Sequence, residues 1–151
     1  MCGIFGEFGD RLLNKDQFLE LNKLSVKRGP DMYGYWSNNK YCQMGFNRLS
    51  ILDLSPKGNQ PMFTENGRWI MTMNGEIYNF HEIRKKLGCQ TSDFRSQSDS
   101  EVVLTAFNKW GLNKTLDILN GIFAIVLLDT HSKNLHLIRD FAGVKPLYFG
   151  I

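Results

Sequence analysis

Along this chain the spacing of apolar positions changes several times, and each change marks an element. Residues 2–8, Cys-Gly-Ile-Phe-Gly-Glu-Phe, alternate apolar and small residues and read as a strand. Residues 15–27 carry Phe18, Leu21 and Leu24 at helical spacing, opened by Asn14 and Gln17 as a capping box. Arg28-Gly29-Pro30-Asp31 stops that helix and turns the chain. Strands are predicted near 32–37 and 41–48, a loop rich in Pro, Gly, Asn and Ser over 53–67, and a strand from Trp69 to Asn74. A short helix over 80–88 is marked by Ile83 and Leu87, four apart. Another opens at Ser98, capped by Ser98 and Glu101, with an apolar stripe of Val103, Ala106, Phe107 and Trp110.

A helical piece near 113–119 leads to Gly121. Residues 122–128, Ile-Phe-Ala-Ile-Val-Leu-Leu, form a continuous apolar run, as in a strand covered on both faces. Residues 134–140 alternate again and pair with that run through the turn at Thr130 to Lys133. Central strands covered on both faces, with helices gathered in one batch, predict a layered α+β architecture.

The 151 residues suit one domain with a sizeable core. A net charge of +3 is a mild excess, and its short clusters, Lys27-Arg28 and Arg84-Lys85-Lys86, read as solvated surface. A nucleic-acid partner needs a denser basic patch. No apolar run is long enough for a bilayer, so no membrane partner is expected, and the first residues lack the pattern of a secretory signal. The cytoplasm is the default compartment. Cys2, Cys42 and Cys89 are widely spaced, and the three histidines follow no ligand pattern, so no metal site is expected. An odd count argues against a disulfide framework. Cys42 and Cys89 read as small apolar residues.

Cys2 is different because of its place. A small second residue permits removal of Met1, which leaves a free α-amine on the residue that carries the thiol. An α-amine titrates near about 8 and can act as a local general base. The thiol, with a pKa of about 8.5, is only slightly ionised unaided. Nucleophile and base then share one residue, with no histidine needed. On position alone, Cys2 is equally an apolar residue opening the first strand.

The residues after Cys2 change that balance. Cys2-Gly3-Ile4-Phe5-Gly6 resembles the opening of the class II, or amino-terminal-nucleophile, glutamine amidotransferases. Arg28 to Asp31, Asn47-Arg48-Leu49-Ser50-Ile51-Leu52-Asp53, Gly58-Asn59-Gln60-Pro61-Met62 and Asn74-Gly75-Glu76-Ile77-Tyr78-Asn79 resemble the asparagine synthetase branch. Lys145-Pro146-Leu147-Tyr148 is similar to a later stretch of the same family. The segments keep the family's order over nearly the whole chain.

The resemblance implies a four-layered αββα sandwich of the amino-terminal-nucleophile (Ntn) hydrolase type, C-terminally incomplete, with residues 1–151 as a glutaminase domain that stops before its end. Arg48, at a strand end and with the parity of Cys42, Met44 and Phe46, would grip the glutamine α-carboxylate through paired hydrogen bonds, helped by backbone groups of Leu49, Ser50, Ile51 and Leu52. Without the motif Arg48 reads as a surface ion-pair residue. The Asn74 side chain and the Gly75 amide would form an oxyanion hole, where Asn-Gly alone reads as a hairpin turn. Glu76 and Asp99 would hold the α-ammonium; Asp99 also complements the dipole of its helix. Arg28 to Asp31 and Gln60-Pro61 read as scaffold.

Two departures stand out. The family's Asp-Arg-x-Gly is here Asp140-Phe141-Ala142-Gly143, and Lys27 stands where many relatives carry histidine. The implied partners are glutamine and an ammonia-accepting synthetase domain or subunit, with a homodimer left open. No cofactor is expected for this half; ATP and Mg belong to the absent synthetase domain. The alternatives are a non-catalytic module that binds a synthetase, and the glutaminase half of an amidotransferase with another acceptor.

Overall fold

The computed structural model describes residues 1–150. Two antiparallel sheets stack face to face. In the first, β1 (Gly3–Phe8) and β2 (Met32–Ser37) flank β3 (Cys42–Arg48). In the second the order is β4 (Met62–Phe63), β5 (Trp69–Ile77), β6 (Gly121–Asp129) and β7 (Asn134–Arg139). Helix α1 (Lys15–Lys23) lies on the outer face of the first sheet. Helices α2 (Phe80–Lys86), α3 (Asp99–Trp110) and α4 (Leu112–Leu116) pack together, α3 on the outer face of the second. The layers therefore run helix, sheet, sheet, helix.

Strand parity builds this order. On β3, Cys42 and Met44 point inward to meet Ile70, Val126 and Leu128 of the second sheet. Gln43, Gly45 and Asn47 point the other way, towards α1, where the Asn47 amide donates to the Asn22 carbonyl at 2.8 Å and to Ser25 Oγ at 2.7 Å. On β5, Ile70 faces the first sheet while Trp69, Met71, Met73 and Ile77 face the helices. Those four join Ile83, Leu87, Val103, Phe107, Ile125 and Leu127 in the larger core. Each fully buried Leu, Ile or Phe there contributes about 1.5–3 kcal/mol of burial. The β6 run is indeed covered on both faces, and it pairs with β7 from Ala124↔Arg139 to Asp129↔Asn134.

Both predicted caps lie at helix starts, but only the first is a full box, because the Glu101 carboxylate accepts from the Ser96 and Arg95 amides instead of the Ser98 amide. Asn14 and Gln17 cap each other reciprocally, and Ser98 Oγ accepts from the Glu101 amide at 3.3 Å. The first helix is shorter than its spacing predicts. It ends at Lys23, and Val26–Arg28 forms a single 3₁₀ turn. Its buried face is Phe18 and Asn22, four apart, while Leu24 is 80% exposed. The polar outer face of β3 selects Asn22, so the leucines turn outward. The 53–67 loop also contains the short strand β4, whose Met62 pairs with Met71. Among the described residues, no helix is long and apolar enough to cross a membrane.

Candidate active site

The chain ends of β3 and β5 open on the same side of the sandwich, and a cavity of about 140 Å³ lies between them. Met1, Cys2, Arg48, Leu49, Ile51, Leu52, Asn74, Gly75, Glu76 and Asp99 line it. Of the residues singled out in the sequence, Ser50 alone lies outside the lining. Its amide is taken by the Asp31 carboxylate at 2.7 Å.

Cys2 precedes the first residue pair of the sheet, Gly3↔Asn47, and is half-buried. Its sulfur accepts from the Leu49 amide at 3.4 Å, and the Arg28 guanidinium donates to its carbonyl at 3.2 Å. The Arg28 to Asp31 turn thus holds both sides of the thiol: Arg28 fixes Cys2, and Asp31 fixes the Ser50 amide beyond Leu49. Gly29 is obligatory there, because a Cβ would run into the Asn47 carbonyl. Scaffold is the right description of this turn.

Arg48 is buried and its guanidinium reaches across the loop that follows β3. One nitrogen donates to the Ser55 carbonyl at 2.6 Å and the other to the Asp53 carbonyl. Five N–H groups are available on a guanidinium, so further donors remain for a ligand. Asp53 pins the same loop to the approach of α3 by accepting from the Gln97 amide at 2.8 Å. Hydrogen bonding from Ser55, with the Gln97 amide and the Arg48 charge, holds the Asp53 carboxyl below the usual range.

On the opposite wall, β5 carries Asn74 inward. Among the described residues the Asn74 side-chain amide has no hydrogen-bond partner, so its donors are available to whatever enters. The next residue, Gly75, sits against β6 with φ 157°, and a Cβ there would collide with the Ile122 carbonyl. Only glycine fits. Asp99, the first residue of α3, is buried, and its carboxylate accepts from the Ile77 and Ser100 amides, each at 2.8 Å. Burial pushes its carboxyl above the ordinary value despite those bonds, and the neighbouring Glu76 charge adds to the rise.

Sequence reasoning left several lining residues without a role in the site. Gln60 lines the cavity, and its side chain pairs with both backbone groups of Met73, accepting at 2.5 Å and donating at 3.3 Å. It acts as one more rung beside β5. Lys145 also lines the cavity. A lysine that opens an otherwise apolar Lys-Pro-Leu-Tyr stretch is the signal that could have found it.

The family model for the glutamine amidotransferase domain matches residues 1–151. The chain belongs to the glutamine amidotransferase domain family. Asparagine synthetase [glutamine-hydrolyzing] 1 of Arabidopsis thaliana is 38% identical over 99% of this chain and 25% of its own length. The Gallus gallus enzyme of that name is 35% identical over 98% of this chain and 26% of its own length. This amidotransferase domain thus spans about a quarter of the length of those relatives.

Its fold is shared by solved structures that include two enzymes of low identity. The glutamine phosphoribosylpyrophosphate (PRPP) amidotransferase from B. subtilis, complexed with ADP and GMP, has a TM-score of 0.63 at 19% identity, covering 85% of this chain and 35% of its own. The allosteric regulatory enzyme of purine biosynthesis has a TM-score of 0.65 at 19% identity, with the same coverage. The layered αββα sandwich implied by the sequence is therefore the fold that the amidotransferase domain shares with both.

Proposed function

We propose that this domain, once Met1 is removed, hydrolyses glutamine to glutamate and ammonia with Cys2 as nucleophile. The observation that carries the reading is the convergence of Cys2, just ahead of β1, with Arg48 of β3, Asn74, Gly75 and Glu76 of β5 and Asp99 of α3 on one cavity. No pair of these residues from different elements is close in sequence, so the fold alone unites them.

Arg48 takes the α-carboxylate of glutamine, with the backbone of Leu49 to Leu52 closing over it, and Glu76 and Asp99 take the α-ammonium. These contacts leave the side-chain amide facing Cys2. The sulfur attacks the amide carbon, and its proton passes to the Cys2 amine. The oxyanion is held by the Asn74 side chain and the Gly75 amide, donors fixed in place before charge develops. The amine returns the proton to the departing nitrogen, ammonia leaves, and water hydrolyses the thioester to glutamate, restoring the thiol. This half needs no metal or organic cofactor. The ammonia goes to an ATP- and magnesium-using synthetase domain or subunit of the asparagine synthetase type, in the cytoplasm.

Glutamate release from glutamine by the processed protein tests this, with intact mass reporting the loss of Met1. Cys2→Ala is expected to lower turnover by about 10³-fold or more. No release by processed wild type, and none lost in Cys2→Ala, would leave a binding module instead.

A further inference from the structure

Lys145 is 8% exposed and yet forms no ion pair with a carboxylate among the described residues. Its ammonium donates to the Met1 sulfur at 2.8 Å, and a thioether is a weak acceptor. Buried polar groups are normally satisfied, so a cation left with a thioether alone is an exception with a cause to be found.

The lysine is placed deliberately. The Asp140 carboxylate accepts from the Phe123 amide of β6 at 3.2 Å, the Val144 amide at 2.8 Å and the Lys145 amide at 3.0 Å. One acid therefore ties the segment after β7 to the strand beside Gly75 and aims the lysine into the cavity. The same hydrogen bonds hold the Asp140 carboxyl below its usual range.

Met1 is bonded to the Cys2 nitrogen and meets the Lys145 ammonium through its sulfur. Cutting it away leaves the new α-amine and that ammonium lining the same cavity. We propose that Lys145 is a positioning residue for the amine of processed Cys2: its charge keeps that amine unprotonated at neutral pH, in the form that accepts the thiol's proton. The inference rests on the glutaminase reading of the site.

Other charges face the same amine. Arg28, on the Cys2 carbonyl, and Arg48, from β3, act in the same sense as Lys145. Asp53 from the loop, Glu76 from β5 and Asp99 from α3 act against it. With glutamine bound, its ammonium compensates Glu76 and Asp99, and its carboxylate compensates Arg48. Lys145 and Arg28 then remain as the cations without a substrate partner, and Lys145 alone has its charged group directed into the cavity.

Two measurements on the processed, full chain test this. The first titrates the Cys2 α-amine by isotope-labelled reductive methylation and NMR, which needs no turnover. The amine is expected about one unit or more below the 7.7–8.0 of an ordinary terminus. A value within that ordinary range overturns the proposal even if glutamine is hydrolysed. The second is the pH profile of kcat. Lys145→Met is expected to move the acid limb up by about one unit, and Lys145→Arg to restore it. An unmoved limb with raised KM would make Lys145 a glutamine-binding residue and overturn the proposal. A lowered amine in a protein that hydrolyses no glutamine would uphold the electrostatics and refute the glutaminase reading, so the two failures are distinct.

Discussion

The two halves of the sandwich are held together by different chemistry. Behind the second sheet, α2 and α3 bury Ile83, Leu87, Val103 and Phe107 against Trp69, Met71, Met73 and Ile77 in one large apolar cluster. Behind the first sheet, α1 buries one large apolar side chain, Phe18, and a polar lattice does the rest: Asn47 to Asn22 and Ser25, and Gln43 to Glu7, Leu13 and Tyr35. The site draws on both. The apolar half carries Asn74, Gly75 and Asp99. The polar half carries Cys2 and Arg48. Directional hydrogen bonds specify position without a large core, and close packing specifies it by volume.

The sharpest way to break this comparison is by stability. Phe107→Ala should cost about 3–5 kcal/mol, read from chemical denaturation, because the cavity it opens has no route to collapse. If it costs less than a change in the polar lattice, the contrast fails.

Next comes Asp99→Asn, expected to lower kcat/KM for glutamine by about 30-fold, near 2 kcal/mol, chiefly through KM. It carries a pH signature. The Asp99 carboxyl is raised on folding, so the native state binds more protons than the unfolded one between the ordinary 3.8 and the raised folded value. Stability therefore falls as pH rises through that window, while glutamine binding strengthens. Denaturation midpoints and KM measured across acidic pH should show stability and affinity moving in opposite senses in wild type, and Asp99→Asn should flatten both.

Smaller still, Asn47→Ala should cost about 1 kcal/mol, since it leaves the Oδ1 of buried Asn22 without its donor. Smallest, Leu24→Lys should change stability by less than about 0.5 kcal/mol, because that leucine already faces outward. A larger loss would mean that α1 has a second apolar contact and is less unlike the other half.

The same contrast explains what could be read from the chain beforehand. The β6 run and the α3 stripe announce themselves because an apolar face needs apolar residues at a fixed period. Residues of the polar lattice carry no such period. Asn22 reads as an ordinary helix-surface residue until β3 supplies Asn47, so the spacing points to Leu21 and Leu24 instead. The candidate site was legible at Cys2, Arg48, Asn74, Gly75 and Asp99, whose motifs are local. The placing of Lys145 beside Met1 was not, since it depends on a turn 144 residues away in sequence. Gln60 was legible as scaffold, but its pairing with Met73 required knowing which strand lay beside it.

Sheet pairing begins at Gly3, so everything before it projects from the sandwich into the cavity rather than along its surface. A purification handle fused ahead of residue 1 would crowd the mouth of that cavity and block trimming to the cysteine. Anyone producing this protein for assay should attach the handle at the other end.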